Sequence, residues 1–299
     1  MSAVARTLND LYLDIRRVLK NAGVSSPGLE ARELCAAGCG ADKNRIAQWG
    51  HHFLARESEE KVMALLQRRL DGEPLAYIIG EWDFYGETFV VTPDVLIPRS
   101  DTESLAEFVI ELAQKQVNPR ILDLCCGSGC IGLVVAKHVE DARVVGVDVS
   151  DRALCIAREN CRRLGLGRRY FTVHGDARLP ASEGLGKFDI LVSNPPYIPS
   201  REIARLDRDV RDYEPHLALD GGESGLEFFQ SIARDWQGVL RGGGVMAFEC
   251  GAFQAGDVAD LMVESGLEQV GMREDLSGIQ RVVYGTVHEE NEQMLQFSF

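Results

Sequence analysis

Leu8, Leu11, Ile15, Val18 and Leu19 recur at helical spacing, and Gly23 ends the run. Thr7, with Asp10 three residues on in place of the usual glutamate, predicts a capping box that opens this first helix. Ser26-Pro27 predicts an N-cap and a proline at the first position of a second helix through Leu34 and Cys35. Val62, Leu65, Leu66 and Leu70 carry a third helix, from near Ser58 to the stop at Asp71-Gly72. Residues 1–75 therefore read as a small helical bundle with no catalytic constellation of its own. It is either a stabilising cap or a substrate-docking module.

From Trp82 the period shortens. Trp82 and Phe84, a turn at Gly86-Glu87, then Phe89 and Val91 predict a β-hairpin within a linker of residues 76–99. The linker ends in Val95-Leu96-Ile97-Pro98-Arg99, and Ser100-Asp101-Thr102-Glu103 then predicts a second capping box. Beyond Asn118-Pro119, apolar runs at Arg120–Leu124, Arg143–Val147, Tyr170–His174, Phe188–Ser193 and Gly244–Glu249 alternate with helical segments. That alternation predicts a mostly parallel sheet covered on both faces, over residues 100–287. Two last strands, Glu268–Met272 and Gln280–Tyr284, are joined by too short a connection to be parallel and must form an antiparallel pair. Residues 288–299 are polar and acidic before Leu295-Gln296-Phe297-Ser298-Phe299, and are expected to be a poorly ordered tail.

The chain has 299 residues, 45% hydrophobic and 26% charged, enough for a large domain with a smaller one. Its net charge of −14 argues against a broad nucleic-acid surface, which needs a basic patch. The eight cysteines show no C-x-x-C spacing and the six histidines are scattered, so no metal site is expected. The cysteines read as reduced core residues of a cytoplasmic protein. No apolar run approaches the length of a membrane span.

The chemistry gathers at the predicted strand ends. After Phe188–Ser193 comes Asn194-Pro195-Pro196-Tyr197. Two prolines cannot continue a ladder, so the strand stops at Asn194 in a stiff loop. Such a loop can offer the Asn194 carboxamide oxygen, the Pro195 carbonyl and the Tyr197 ring to one planar NH2 group. Asp123-Leu124-Cys125-Cys126-Gly127-Ser128-Gly129 marks the first turn from parallel strand to helix, where Gly127 and Gly129 permit a tight turn. Asp148 closes the next strand 19 residues beyond Gly129, a position suited to a ribose diol. Asp123 ahead of the loop suits the ammonium of a methionine moiety and would repel a pyrophosphate. Asp176, after the third strand, can accept from an adenine amino group. Together these clusters point to S-adenosylmethionine and methyl transfer.

From about Leu8 to Val287 the chain resembles the protein-(glutamine-N5) methyltransferases. The likeness rests on Gly72-Glu73-Pro74-Leu75-Ala76-Tyr77-Ile78-Ile79-Gly80, Val95-Leu96-Ile97-Pro98-Arg99, the glycine loop and Asn194-Pro195-Pro196-Tyr197-Ile198. Glu214-Pro215, Leu219-Asp220-Gly221-Gly222, Gly225-Leu226 and Asp275-Leu276-Ser277-Gly278 before Arg281-Val282-Val283 add to it. The resemblance implies a class I, Rossmann-like methyltransferase with a seven-stranded mixed sheet behind the helical bundle. It implies S-adenosylmethionine held by Asp123, Cys125, Cys126, Gly127, Ser128, Gly129, Asp148, Val149, Asp176, Ala177 and Asn194. It also implies a substrate glutamine held by Asn194, Pro195, Pro196, Tyr197, Arg99 and Glu214, with Asn194, Pro195 and Tyr197 catalytic. The favoured substrate is the Gly-Gly-Gln loop of a peptide chain release factor, met by a monomer. Asp101-Thr102-Glu103 and the Asp275–Val283 ending favour that branch. Ser100 and Cys125 stand where it usually has proline and glycine, which keeps open a glutamine of a large-subunit ribosomal protein. An adenine amino group of nucleic acid is a more distant alternative.

Overall fold

The computed structural model describes residues 6–43 and 46–289. The expected tail lies outside the described residues from position 290 onward. In chain order the elements begin with α1 (Leu8–Asn21), α2 (Pro27–Cys39), α3 (Arg56–Leu70) and α4 (Leu75–Ile79). A hairpin follows, β1 (Glu81–Phe84) and β2 (Glu87–Val90), then α5 (Thr102–Ala113) and β3 (Arg120–Leu124). Next come α6 (Cys130–His138), β4 (Arg143–Asp148), α7 (Asp151–Arg163), β5 (Tyr170–His174) and β6 (Phe188–Ser193). Three short helices, α8 (Ser200–Ile203), α9 (Arg208–Tyr213) and α10 (His216–Leu219), precede α11 (Glu227–Asp235). The chain closes with β7 (Leu240–Glu249), α12 (Ala255–Glu264), β8 (Glu268–Glu274) and β9 (Gln280–Thr286).

Contacts divide the chain into two compact units, one of residues 1–81 with 207–213, the other of 82–206 with 214–299. In the helical unit α1 opens with the expected capping box, Thr7 Oγ1 accepting from the Asp10 N–H and the Asp10 carboxylate from the Thr7 N–H. Leu8, Leu11, Ile15 and Leu19 are buried. A bidentate pair, Arg69 Nε and Nη2 on the two oxygens of Glu30, ties α3 to α2. Residues 76–79, placed by sequence in the linker, belong instead with Leu75 to the short helix α4. Pro74 stands at its N-cap and Gly80 caps it in the left-handed region, and five residues are too few to show a helical period.

The larger unit is built on one seven-stranded sheet, ordered β5-β4-β3-β6-β7-β9-β8. β5, β4, β3, β6 and β7 are parallel, while β9 runs antiparallel to both β7 and β8. Alternate residues of β3 explain the two faces. Ile121 joins the core under α5, α6 and α7, whereas Leu122 and Leu124 join the one under α11 and α12. From β3 the chain winds outward through β4 and β5, then returns to place β6 on the other side of β3. That reversal opens a crevice at the carboxyl ends of the strands, where open α/β sheets bind ligands.

Two local expectations change. The hairpin turn is Tyr85-Gly86, both with positive φ (49° and 77°), rather than Gly86-Glu87. This matches the primed turns that suit the strand twist. The second capping box does not form: Asp101 makes no side-chain cap, and Glu103 Oε1 instead accepts the Tyr85 N–H at 2.7 Å. The carboxylate goes to a hairpin amide that would otherwise lack a partner.

Gly38 marks the closest approach of α2 to α3. A β-carbon there would lie 2.4 Å from Val62 Cγ2 and 2.9 Å from Val62 Cα. Gly38→Ala should therefore destabilise the helical unit by about 1–3 kcal/mol, despite alanine's better helix propensity. Thermal unfolding of the full chain, followed by circular dichroism, checks this through a lowered first transition.

Candidate active site

The crevice holds a cavity whose wall gathers residues from five strand ends and loops. Cys125, Cys126, Gly127 and Ser128 come from the β3–α6 turn, Asp148 and Val149 from β4, and Asp176 and Ala177 from the end of β5. Asn194 and Pro196 follow β6, and Arg99 and Thr102 come from the approach to α5. Of the residues expected from sequence, Asp123, Gly129, Pro195, Tyr197 and Glu214 are not part of this wall.

The β3–α6 turn is tightly wound. Cys125, Gly127 and Gly129 all have positive φ, at 60°, 54° and 79°. Cys125 thus occupies a left-handed position that favours glycine. The Cys126 N–H donates to the Val147 carbonyl at 3.0 Å, and the Gly129 N–H to that of Cys126 at 2.7 Å. Asn160 on α7 clamps the turn from behind, donating to the Ser128 carbonyl at 2.9 Å and exchanging bonds with the Val90 backbone.

Asp148 presents its carboxylate at the cavity. Oδ2 accepts the Gly127 N–H and Oδ1 the Ser150 N–H, both at 2.9 Å, and each oxygen keeps a lone pair for a diol. Burial raises its pKa against those amides. Asp123 is buried behind the turn: Oδ2 accepts from Gly132 N at 3.0 Å, and Oδ1 has no partner. Burial pushes this carboxyl up to about 7, opposed by the Gly132 N–H and reinforced by Asp148. Asp176 is not a free acceptor. Its oxygens take the Arg178 N–H, Nε and Nη2 at 2.8–3.1 Å, and this bonding lowers its pKa. One lone pair on Oδ2 is left. Arg178 in turn covers the Phe228 ring, 5.6 Å from its centroid, and Phe228, Leu217 and Pro215 complete an apolar wall.

The Asn194–Ile198 loop is held from both sides. Ser193 Oγ donates to the Leu124 carbonyl at 2.6 Å, fastening the end of β6 to that of β3. On the other side the Ile198 N–H donates to Leu219 O and the Gly221 N–H to Ile198 O. Added β-carbons at Gly221 and Gly225 would strike the Tyr197 backbone at 2.7 and 2.5 Å. The glycines of that segment therefore let two backbones touch. Asn194, which lines the cavity, donates from Nδ2 to Thr102 Oγ1 at 3.3 Å, a bond that does not engage its Oδ1. Tyr197 faces a second cavity with Arg99, Asp101, Glu249 and Arg281. Glu214 is buried and accepts from Arg99 Nη2 and, at 3.2 Å, from the Ile97 N–H. It thereby orients Arg99 rather than meeting the cavity itself.

Thr102, Asn160, Phe228 and Glu249 had not been singled out from sequence as site residues. Glu249 had one signal: an acid closing an apolar strand run, as Asp148 does. Among the described residues no cluster of His, Cys, Asp or Glu could hold a metal ion, and no helix is long and apolar enough to cross a membrane.

This sheet order and strand-end site define a class I S-adenosylmethionine-dependent methyltransferase fold. The PrmC N-terminal domain family matches residues 10–80 and the Methyltransferase small domain family residues 99–210. A methyltransferase of Pyrococcus furiosus shares the fold, with a TM-score of 0.51 and 16% identity over 74% of this chain and 97% of that one. The release factor glutamine methyltransferase of Moorella thermoacetica is 40% identical over 85% of this chain and 89% of its own length. That of Geobacter sulfurreducens is 38% identical over 91% and 94%. The chain belongs to the release factor glutamine methyltransferase family.

Burial disfavours ionisation of the turn's thiols. Burial pushes Cys130 up to about 12 and raises Cys125 and Cys126 too, with Asp123 and Asp148 adding to the effect on the latter two. Iodoacetamide near pH 8 should therefore label the exposed Cys155 well before these three, as read by peptide mass spectrometry.

Proposed function

We propose that this chain transfers the methyl group of S-adenosylmethionine to the side-chain amide nitrogen, N5, of the glutamine in the Gly-Gly-Gln loop of a peptide chain release factor, in the cytoplasm. The relatives' names supply the substrate. The orientation of Asn194 at the end of β6, with its Oδ1 left to accept, carries the chemistry.

The donor set suits the cofactor. Asp148 has lone pairs for the ribose diol, and Val149, Ala177 and Phe228 offer an apolar slot for adenine beside the last acceptor of Asp176. The turn of Cys125 to Gly129, backed by Asp123, would hold the methionine end. S-adenosylmethionine supplies an electrophilic methyl group.

A target amide is a poor nucleophile because its lone pair is delocalised into the carbonyl. Asn194 Oδ1 and the Pro195 carbonyl each accept one of its N–H groups, while Tyr197 packs on its plane and Pro196 stiffens the loop. That grip turns the nitrogen lone pair toward the methyl group and favours the less conjugated form. As the N–C bond forms and the S–C bond breaks, the nitrogen becomes acidic and loses one proton to solvent. No strong base is needed before attack. Alignment of the two reactants can contribute on the order of 7–11 kcal/mol. Arg99, fixed by Glu214, stands at the cavity rim to meet the substrate backbone, and the helical unit serves as a docking module for the intact substrate protein.

Asn194→Ala should lower kcat by about 10²–10³-fold, far more than it weakens cofactor binding. The test is transfer of a labelled methyl group to an intact release factor and, separately, to the large-subunit ribosomal protein. Transfer to the release factor, abolished by changing its Gly-Gly-Gln glutamine, supports the reading. Transfer only to the ribosomal protein replaces the substrate, and a fully active Asn194→Ala refutes the role of Asn194.

A further inference from the structure

Glu249 closes β7, next to β6 in the sheet. Ser193 is in register with Phe248, so Asn194 and Glu249 are the next residues along two neighbouring parallel strands. Glu249 is 2% exposed, and its Oε2 has no hydrogen-bond partner. The side chains of Thr102 and Asn194 both favour its ionised form. Thr102 is itself buried at the first position of α5, where the helix N-terminus favours a negative charge.

We propose that Glu249 is a positioning residue: through Thr102 it holds the Asn194 carboxamide with Nδ2 turned into the protein and Oδ1 free to accept in the cavity. This rests on the function proposed above, in which Oδ1 takes an N–H of the target amide.

The direction of the chain follows from donor and acceptor inventory. An ionised carboxylate can only accept, so the Thr102 hydroxyl donates to Glu249 and its oxygen accepts from Asn194 Nδ2. A protonated Glu249 can donate to Thr102. The Thr102 hydroxyl proton then turns to Asn194 and selects Oδ1, which flips the amide. An Nδ2 group facing the cavity would oppose N–H to N–H and bind nothing. Several charged or titratable groups face Glu249 from the packed elements. Arg281 on β9 favours its ionised form and Asp101, beside α5, opposes it. Tyr197, Cys130 and Cys250 each feel its charge, and Arg99, Asp83 and Glu103 share its cavity. Burial dominates and pushes the carboxyl up to about 7. The competent, ionised form therefore accumulates as pH rises through that value.

The experiment uses the full chain with a release factor as methyl acceptor, comparing wild type with E249Q, T102V and T102S between about pH 5.5 and 8.5. Wild-type kcat should rise through about pH 7. E249Q should lose about tenfold or more in kcat and lose that rise, with cofactor affinity unchanged. T102V should behave as E249Q does, and T102S should recover most of the rate. The Asn194 side-chain amide signal, assigned by its loss in N194D, should shift with pH in wild type and stay fixed in E249Q. Wild-type kcat and pH profile in E249Q would overturn the proposal. So would a disabled E249Q beside a fully active T102V, which would leave Thr102 no part in holding Asn194. Were wild type to methylate no release factor, the function would fall while the amide signal still decided the role of Glu249.

Discussion

The site depends on keeping carboxylates at the carboxyl ends of buried parallel strands. A carboxylate taken out of water costs several kcal/mol unless donors surround it. The fold meets that cost in the same way three times, by setting each acid against the start of a helix. Asp123 accepts from Gly132 in the first turn of α6, Asp148 from Ser150 at the N-cap of α7, and Glu249 meets Thr102 at the first position of α5. Unsatisfied amides and the positive end of the helix dipole lie there.

The three acids differ in how far burial wins. Asp148 has amides on both oxygens and opens onto the cavity, whereas Asp123 is buried with a single amide. Glu249 depends on side-chain partners and on Arg281 across the sheet edge. The carboxylate with the firmest backbone support is thus the one proposed to hold the ribose. The least supported lies behind the residue proposed to grip the substrate, where a change of protonation has most effect.

Much of this was legible in sequence because it obeys local rules. The strand periods gave all seven strands of the main sheet within a few residues, and the double proline fixed where β6 ends. The short Arg273–Ile279 connection gave the antiparallel edge. What stayed hidden was decided across the chain. Glu103 reads as a capping partner until the Tyr85 amide, 18 residues earlier, takes its carboxylate. Asp176 reads as an open acceptor until Arg178 folds back on it. Gly221 and Gly225 enter the sequence reading only through the resemblance, and their approach to the Tyr197 backbone is visible only in the fold. In each case the sequence contains the residues but not the geometry that brings them together.

Cys125 shows how such a selection bears on the reaction. Its φ of 60° belongs to glycine, and a left-handed non-glycine residue costs roughly 1–2 kcal/mol. That strain is held by bonds on every side of the turn, from Val147 to Cys126, from Cys126 to Gly129, and from Asn160 to Ser128. Ser193 then ties the same strand end to the Asn194 loop. The proposed cofactor turn and substrate loop are therefore one braced backbone rather than two loops, so a methyl donor bound on the first would be registered against an amide held by the second. Methyl transfer to a weak nucleophile depends on that registration more than on any single basic group.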